Sequence, residues 1–150
     1  MRAVIQRVSE AKVTIDQVVK GEIQMGYMIL LGIETSDDEN DVNWLVKKII
    51  GLRVFSDKDG KMNCSIKDVN GNILLISQFT LHASYKKGNR PGFTNAARPD
   101  QAIPLYKKFI SKMESELLKP ISCGEFGADM KVSLVNDGPV TIVMDSKNPE

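Results

Sequence analysis

The stretch Val132-Ser133-Leu134-Val135-Asn136-Asp137-Gly138-Pro139-Val140-Thr141-Ile142-Val143-Met144 constrains this chain more than any other. Two apolar, β-branched runs flank residues that cannot simply continue a strand, because Gly138 is conformationally loose and Pro139 has no amide hydrogen. A sharp turn is predicted there. In the plainer reading it is a hairpin reversal, since Asn, Asp, Gly and Pro between alternating apolar residues are what a reversal needs. In the other, a Gly138-Pro139 peptide, rigid on its proline side and bare on its glycine side, presents backbone carbonyls to a ligand. Such a surface judges shape without offering chemistry.

The chain around this stretch has 150 residues, enough for one domain, 1–150, that buries roughly 68–70% of its unfolded surface. Apolar residues at 42% and charged residues at 26% are globular values and disfavour a disordered or collagen-like chain. No run approaches the ~18 apolar residues of a membrane span, and the first residues alternate rather than forming a signal-peptide core. A cytoplasmic protein is expected. Cys64, Cys123 and the single His82 lack metal-ligand spacing, so neither a zinc site nor a disulfide framework is expected. The net charge of +1 leaves no long electrostatic grip on a nucleic-acid backbone, so an RNA contact would be short or local.

In chain order, residues 2–8 read as a strand with Ala3, Ile5 and Arg7 on one face. Arg7 is either a surface ion-pair partner or a buried guanidinium whose five donors hold carbonyls in place. Short strands are predicted at about 11–16 and 18–24, then a fully buried strand over Tyr27–Ile33. Thr35-Ser36-Asp37-Asp38 offers N-caps to a helix carrying Val42, Leu45, Val46, Ile49 and Ile50, with Gly51 suited to its C-terminal cap. Leu52–Phe55 reads as a strand. Asp57–Gly60 and Asn70-Gly71 read as turns, the first lacking the ligand pattern of a calcium loop. A second helix is predicted to start between Asp100 and Pro104 and to carry Leu105, Phe109, Met113 and Leu117. Strands are predicted at Ile121–Phe126 and Met130–Val135. The sum is an α+β fold, a mostly antiparallel, barrel-like sheet with two main helices.

One strand ends abruptly. Asn72-Ile73-Leu74-Leu75-Ile76 gives way to Ser77-Gln78-Phe79-Thr80-Leu81, placing hydroxyls and an amide where unpaired polar groups cost about 1–3 kcal/mol each. The cluster either satisfies itself at the strand end or faces a ligand. As nucleophiles Ser77 and Thr80 lack an evident base, His82 two residues past Thr80 being the one candidate. Beyond it, 83–98 is a long polar loop of the kind that is usually functional or disordered. Lys86, Lys87, Arg90 and Arg98 there are either a solvated run or phosphate contacts.

With Ser77-Gln78-Phe79-Thr80 and Asn136-Asp137-Gly138-Pro139-Val140-Thr141 in hand, the sequence resembles the D-aminoacyl-tRNA deacylases, first described as D-tyrosyl-tRNA deacylases. Met1–Ser9, the Lys87-Gly88-Asn89-Arg90-Pro91 loop and Phe126-Gly127-Ala128-Asp129-Met130 carry the likeness over nearly the whole chain. Gly92 departs from it, standing where many relatives have serine, and leaves one loop contact open.

The resemblance implies hydrolysis of the ester of D-aminoacyl-tRNA in a homodimer with active sites at the subunit interface, without metal or cofactor. It implies a cis Gly138-Pro139 peptide reaching into the other subunit's pocket, steadied by Arg7 and flanked by Asn136 and Thr141. Ser77, Gln78, Phe79 and Thr80 would receive the terminal adenosine and aminoacyl group, and Lys86, Lys87 and Arg90 are candidate RNA contacts. L-substrates would be rejected by the carbonyls of the Gly-Pro peptide, while glycyl-tRNA would leak through. Catalysis would come from Thr80 or, as favoured, from the substrate's 2′-hydroxyl with backbone amides near Phe79 and Thr80. The nearest alternative is the sister deacylase that clears L-alanine mischarged on tRNA, which holds its Gly-Pro peptide trans and replaces the Ser-Gln-Phe-Thr tetrapeptide. A non-catalytic RNA-binding module and a metal hydrolase are more distant alternatives.

Overall fold

The computed structural model of the chain describes residues 1–150. Its strands are β1 (Arg2–Ile15), β2 (Val18–Ile23), β3 (Gly26–Gly32), β4 (Phe55–Ser56), β5 (Met62–Cys64), β6 (Asn72–Ser77), β7 (Ser122–Cys123) and β8 (Lys131–Asp145). Its helices are α1 (Glu39–Gly51) and α2 (Pro99–Leu117), and a 3-10 turn spans Phe79–His82. The main sheet runs β2-β1-β3-β6-β7, and β8 lies along the other edge of β1. β1 pairs antiparallel with β2, β3 and β8, whereas β3–β6 and β6–β7 are parallel.

Alternation along β3 and β6 shows why both read as continuous apolar runs. Tyr27, Ile29, Leu31, Ile73 and Leu75 face a core shared with Val42, Leu45 and Ile49 of α1 and Tyr106, Phe109 and Met113 of α2. Met28, Leu74 and Ile76 face a smaller core with Val8, Val13 and Ile23. Strands covered on both faces have no polar side to show. The sheet then curls toward closure. β2 comes against β7, where Ser122 Oγ donates to Glu22 O at 3.1 Å and a Cβ on Gly21 would lie 3.1 Å from Cys123 O. The α+β, barrel-like expectation is met.

Three expectations need correction. The strands predicted at 2–8 and 11–16 are one strand, β1, long enough to carry two partners on one edge and all of β8 on the other. Consequently Asn136–Pro139 is not a hairpin reversal. β8 passes through it, pairing Thr141 with Gln6 and Asn136 with Val8, so five steps on β8 face two on β1. The surplus is thrown out as a wide bulge, with Gly138 at φ +114°. Finally, no peptide is cis. The Gly138–Pro139 bond is trans, the isomer that X-Pro bonds take in all but about 5–6% of folded cases.

Smaller differences follow from tertiary bonds. Asp38 caps α1, accepting from Asn40 N at 2.7 Å while Asp41 Oδ2 accepts from Asp38 N at 2.9 Å, a reciprocal box. Gly51 is the last helical residue and not the cap. Leu52 turns extended instead, delivering its carbonyl to Tyr27 Oη and that of Val54 to Arg7. The predicted strand at Leu52–Phe55 shrinks to β4, and Ile121–Phe126 shrinks to β7. α2 begins at Pro99, whose ring suits a first turn, and runs through Pro104.

Candidate functional site

The change from apolar to polar residues after Ile76 has a structural cause. β6 ends at Ser77, Gln78 N donates to Leu31 O at 2.7 Å, and the chain then winds into the 3-10 turn. In such a turn the first amides have no partner behind them. The internal bonds begin at Leu81 N, which donates to Gln78 O, so the amides of Phe79 and Thr80 are left unbonded. Gln78 Nε2 donates to Thr80 Oγ1 at 2.5 Å, tying the tetrapeptide to itself.

Ser77, Gln78 and Phe79 form one wall of a cleft of about 300 Å³. Ile33, Ala97 and Ala102 form a second wall, and Phe126, Gly127, Ala128 and Met130 a third. The second wall is pinned by Ala97 N donating to Ile33 O at 2.9 Å. Most of the lining is apolar, with polarity concentrated at the β6 end, the usual balance of a small-molecule site. Phe79 is half exposed and meets Phe93 edge to face, ring centres 5.0 Å apart. Phe93 follows the bridge between Ser84 and Gly92, whose mutual 2.8 Å bonds close the base of the loop. Lys86, Lys87 and Arg90 are exposed beyond that bridge.

Nucleophilic catalysis by side chains finds no support in the geometry. His82 is buried with Nδ1 3.5 Å from Glu34 Oε2, so the Thr80–His82 pair considered from sequence is not formed. Burial pushes the Cys123 thiol up to about 11, with Glu114 adding to the effect. A thiol so raised is not a nucleophile at neutral pH. No three His, Cys, Asp or Glu side chains converge to hold a metal.

The second group of expected residues assembles elsewhere. Arg7 combines the two roles considered: its side chain is 11% exposed and pairs with the exposed Asp137 carboxylate at 3.6 Å, while Nε donates to Asp137 O at 2.9 Å and Nη1 to Val54 O at 2.5 Å. Asp137, Gly138 and Pro139 stand exposed on the bulge, with paired Asn136 and Thr141 at its feet. Thr141 Oγ1 also donates to Gln6 Oε1 at 2.6 Å. Across the sheet the register aligns Arg7, Tyr27 and Ile73, and four residues further along Ala3, Leu31 and Ser77. With ~3.3 Å per residue and ~4.8 Å per strand, the bulge lies roughly 13 Å along and three strands, about 14 Å, across from Ser77.

Sequence reasoning missed the Ala97 wall and Phe93, and used Phe126–Met130 only as part of a likeness. Gly127, at φ +80° between Phe126 and Ala128, was the available signal of a backbone shaped for close approach.

Comparison with known proteins identifies the family. A family model described as D-Tyr-tRNA(Tyr) deacylase matches residues 4–145. The D-aminoacyl-tRNA deacylase of Phocaeicola vulgatus is 62% identical over 150 residues, covering all of both chains. That of Flavobacterium psychrophilum is 59% identical with the same coverage. Among solved structures, the c-Myc DNA unwinding element binding protein superposes with a TM-score of 0.90 at 41% identity, covering 97% of this chain and 98% of that one. From end to end of its folded core, this chain belongs to the D-Tyr-tRNA(Tyr) deacylase family.

Proposed function

We propose that the chain hydrolyses the ester linking a D-amino acid to the 3′ ribose of tRNA, as a cytoplasmic homodimer in which the bulge of one copy faces the cleft of the other. Relatives alike over their full length carry the name D-aminoacyl-tRNA deacylase. The observation that carries the reading is the separation of two prepared parts, a cleft with unbonded amides and an Arg7-braced Gly138-Pro139 bulge about 20 Å away on the same sheet. In this reading the two parts come together across two copies. The outer edge of β8 pairs with no strand and exposes Val135 and Val143, the kind of edge that a second copy covers.

In the reaction, water attacks the ester carbonyl, whose oxygen gathers charge in front of the Phe79 and Thr80 amides. The bond to the ribose 3′ oxygen breaks, that oxygen takes the proton, and free D-amino acid and tRNA leave. The substrate's 2′-hydroxyl relays the proton, since no side chain is placed to do so. Phe79 receives the terminal adenosine, and Lys86, Lys87 and Arg90 meet the RNA behind it. Carbonyls of the Gly138-Pro139 segment occupy the direction in which an L side chain would project. A D side chain points to solvent.

A second reading, clearance of L-alanine mischarged on tRNA, is favoured by one observation, the trans Gly138–Pro139 bond. Ser77 and Phe79 oppose it. Deacylation of matched D-Tyr-, L-Tyr- and L-Ala-tRNA by the purified protein separates the two. Rapid loss of the D-ester alone is expected, and preferential loss of L-Ala overturns the reading.

A further inference from the structure

Beneath the turn that carries the unbonded amides lies the chain's single histidine. His82 is 3% exposed, and its Nε2 is the one buried side-chain nitrogen or oxygen without a hydrogen-bond partner. An unpaired buried polar atom costs about 1–3 kcal/mol, which an apolar residue of like volume would avoid. Packing alone therefore gives no reason for a histidine. Its other nitrogen, Nδ1, lies 3.5 Å from Glu34 Oε2, outside hydrogen-bond geometry but within ion-pair reach.

The two partners stand behind different walls of the cleft. His82 closes the 3-10 turn that continues from Ser77, Gln78 and Phe79. Glu34 bridges to Ala96, and its neighbours hold the same segment, Thr35 N donating to Asn95 O and Ile33 O accepting from Ala97 N. Gly32 is the opening that lets the walls meet. A Cβ there would lie 3.1 Å from His82 Cδ2 and 2.9 Å from Gln78 O. Ser36 Oγ donates to the second oxygen of Glu34 at 2.9 Å and orients the carboxylate. On its far side the turn is gripped by Arg2, whose Nη1 donates to Leu81 O at 3.0 Å while Nε pairs with Asp145.

We infer that His82 and Glu34 are a positioning pair for the reaction, clasping the Ser77–Thr80 turn to the Ala96–Ala97 wall so that the Phe79 and Thr80 amides keep their aim when the ester arrives. The inference rests on the deacylase reading above. Neither residue touches the reacting atoms. Each acts through the backbone it holds, where a misplacement on the order of 1 Å costs ~10²-fold in rate.

Steady-state kinetics on D-Tyr-tRNA, with thermal melts, tests it in wild type, His82→Phe, His82→Asn, His82→Gln and Glu34→Gln. Phe keeps the volume and removes both nitrogens, so kcat falls about 10-fold or more with KM within about twofold. Asn sets its amide where Nδ1 stood and recovers most of kcat. Gln sets it where the orphan Nε2 stood and does not. Glu34→Gln falls between wild type and His82→Phe. Wild-type kcat in His82→Phe, or equal kcat in the Asn and Gln variants at comparable melting temperature, overturns the inference alone. A wild-type protein inactive on D-Tyr-tRNA overturns the deacylase reading and the inference with it.

Discussion

A methyl group added to Gly138 would overlap Nη2 of Arg7. The guanidinium fills the mouth of the bulge, bonded on one side to Asp137 O and on the other to Val54 O, and Gly138 at φ +114° folds over it. Alanine would meet both that contact and a backbone strain of about 1–3 kcal/mol. Because Gly138 is exposed, the strain is relieved by moving the bulge rather than by unfolding. Gly138→Ala is expected to lower D-Tyr-tRNA deacylation by about 10-fold or more while the melting temperature falls by only about 2–4 °C. Single-turnover rates and calorimetry check the two halves.

Thr80 tests whether a side chain or the substrate supplies the chemistry. Its hydroxyl accepts from Gln78 Nε2, and no base is placed to take its proton. Thr80→Ala is therefore expected to keep activity within about threefold, whereas a 2′-deoxy terminal adenosine loses at least about 10²-fold. The opposite pattern restores threonine as nucleophile.

What the sequence disclosed about this fold depended on how far apart the deciding residues lie. β3 and α1 are legible because their signals are local, a run covered on both faces in one and a 3.6-residue period behind Asp38 in the other. Asn136–Pro139 was misread because reversal and bulge call for the same residue types. The choice between them depends on β1, more than a hundred residues away, and Ser9-Glu10 made β1 look like two strands. Likewise Ser77–Thr80 is visible as a break in polarity, but the Ala97 and Phe126 walls reach it through long-range contacts such as the Ile33–Ala97 bond and the β6–β7 pairing. His82 stands out in the sequence only as a candidate base for Thr80, and its approach to Glu34 crosses 48 residues of chain that no local pattern spans.

The junction of α1 with the C-terminal end of β8 titrates. Burial raises the Asp41 carboxyl, but bonds from Lys147 Nζ at 2.8 Å and Ser146 Oγ at 2.6 Å, with Asp38 N behind them, outweigh it and hold it down to about 2. The unfolded chain titrates near ~3.9. A carboxylate lowered on folding stabilises the protein above the unfolded value and loses that contribution as pH falls from about 4 through 2. Asp41→Asn is expected to cost about 2 kcal/mol at pH 7 and almost nothing near pH 2. Urea unfolding at the two pH values measures the difference.

If, as proposed, the filter is made of main chain, it also fixes which substrates should be treated alike. In the proposed arrangement the exposed Gly138-Pro139 backbone meets the substrate without a side-chain pocket, and the side chain of a D-residue leaves toward solvent. Its size and charge then enter neither the ground state nor the transition state, so rates differ little. D-Tyr-tRNA and D-Asp-tRNA should be hydrolysed within about 10-fold of each other in kcat/KM, against a preference of at least about 10²-fold for D-Tyr over L-Tyr, the latter reflecting steric overlap and desolvated carbonyls. Glycyl-tRNA, with no side chain to overlap, should fall between the D- and L-esters. Matched single-turnover assays of the four substrates measure this order. A gap of several orders of magnitude between the two D-esters would mean that a side-chain pocket, and not the Gly138-Pro139 backbone, does the selecting.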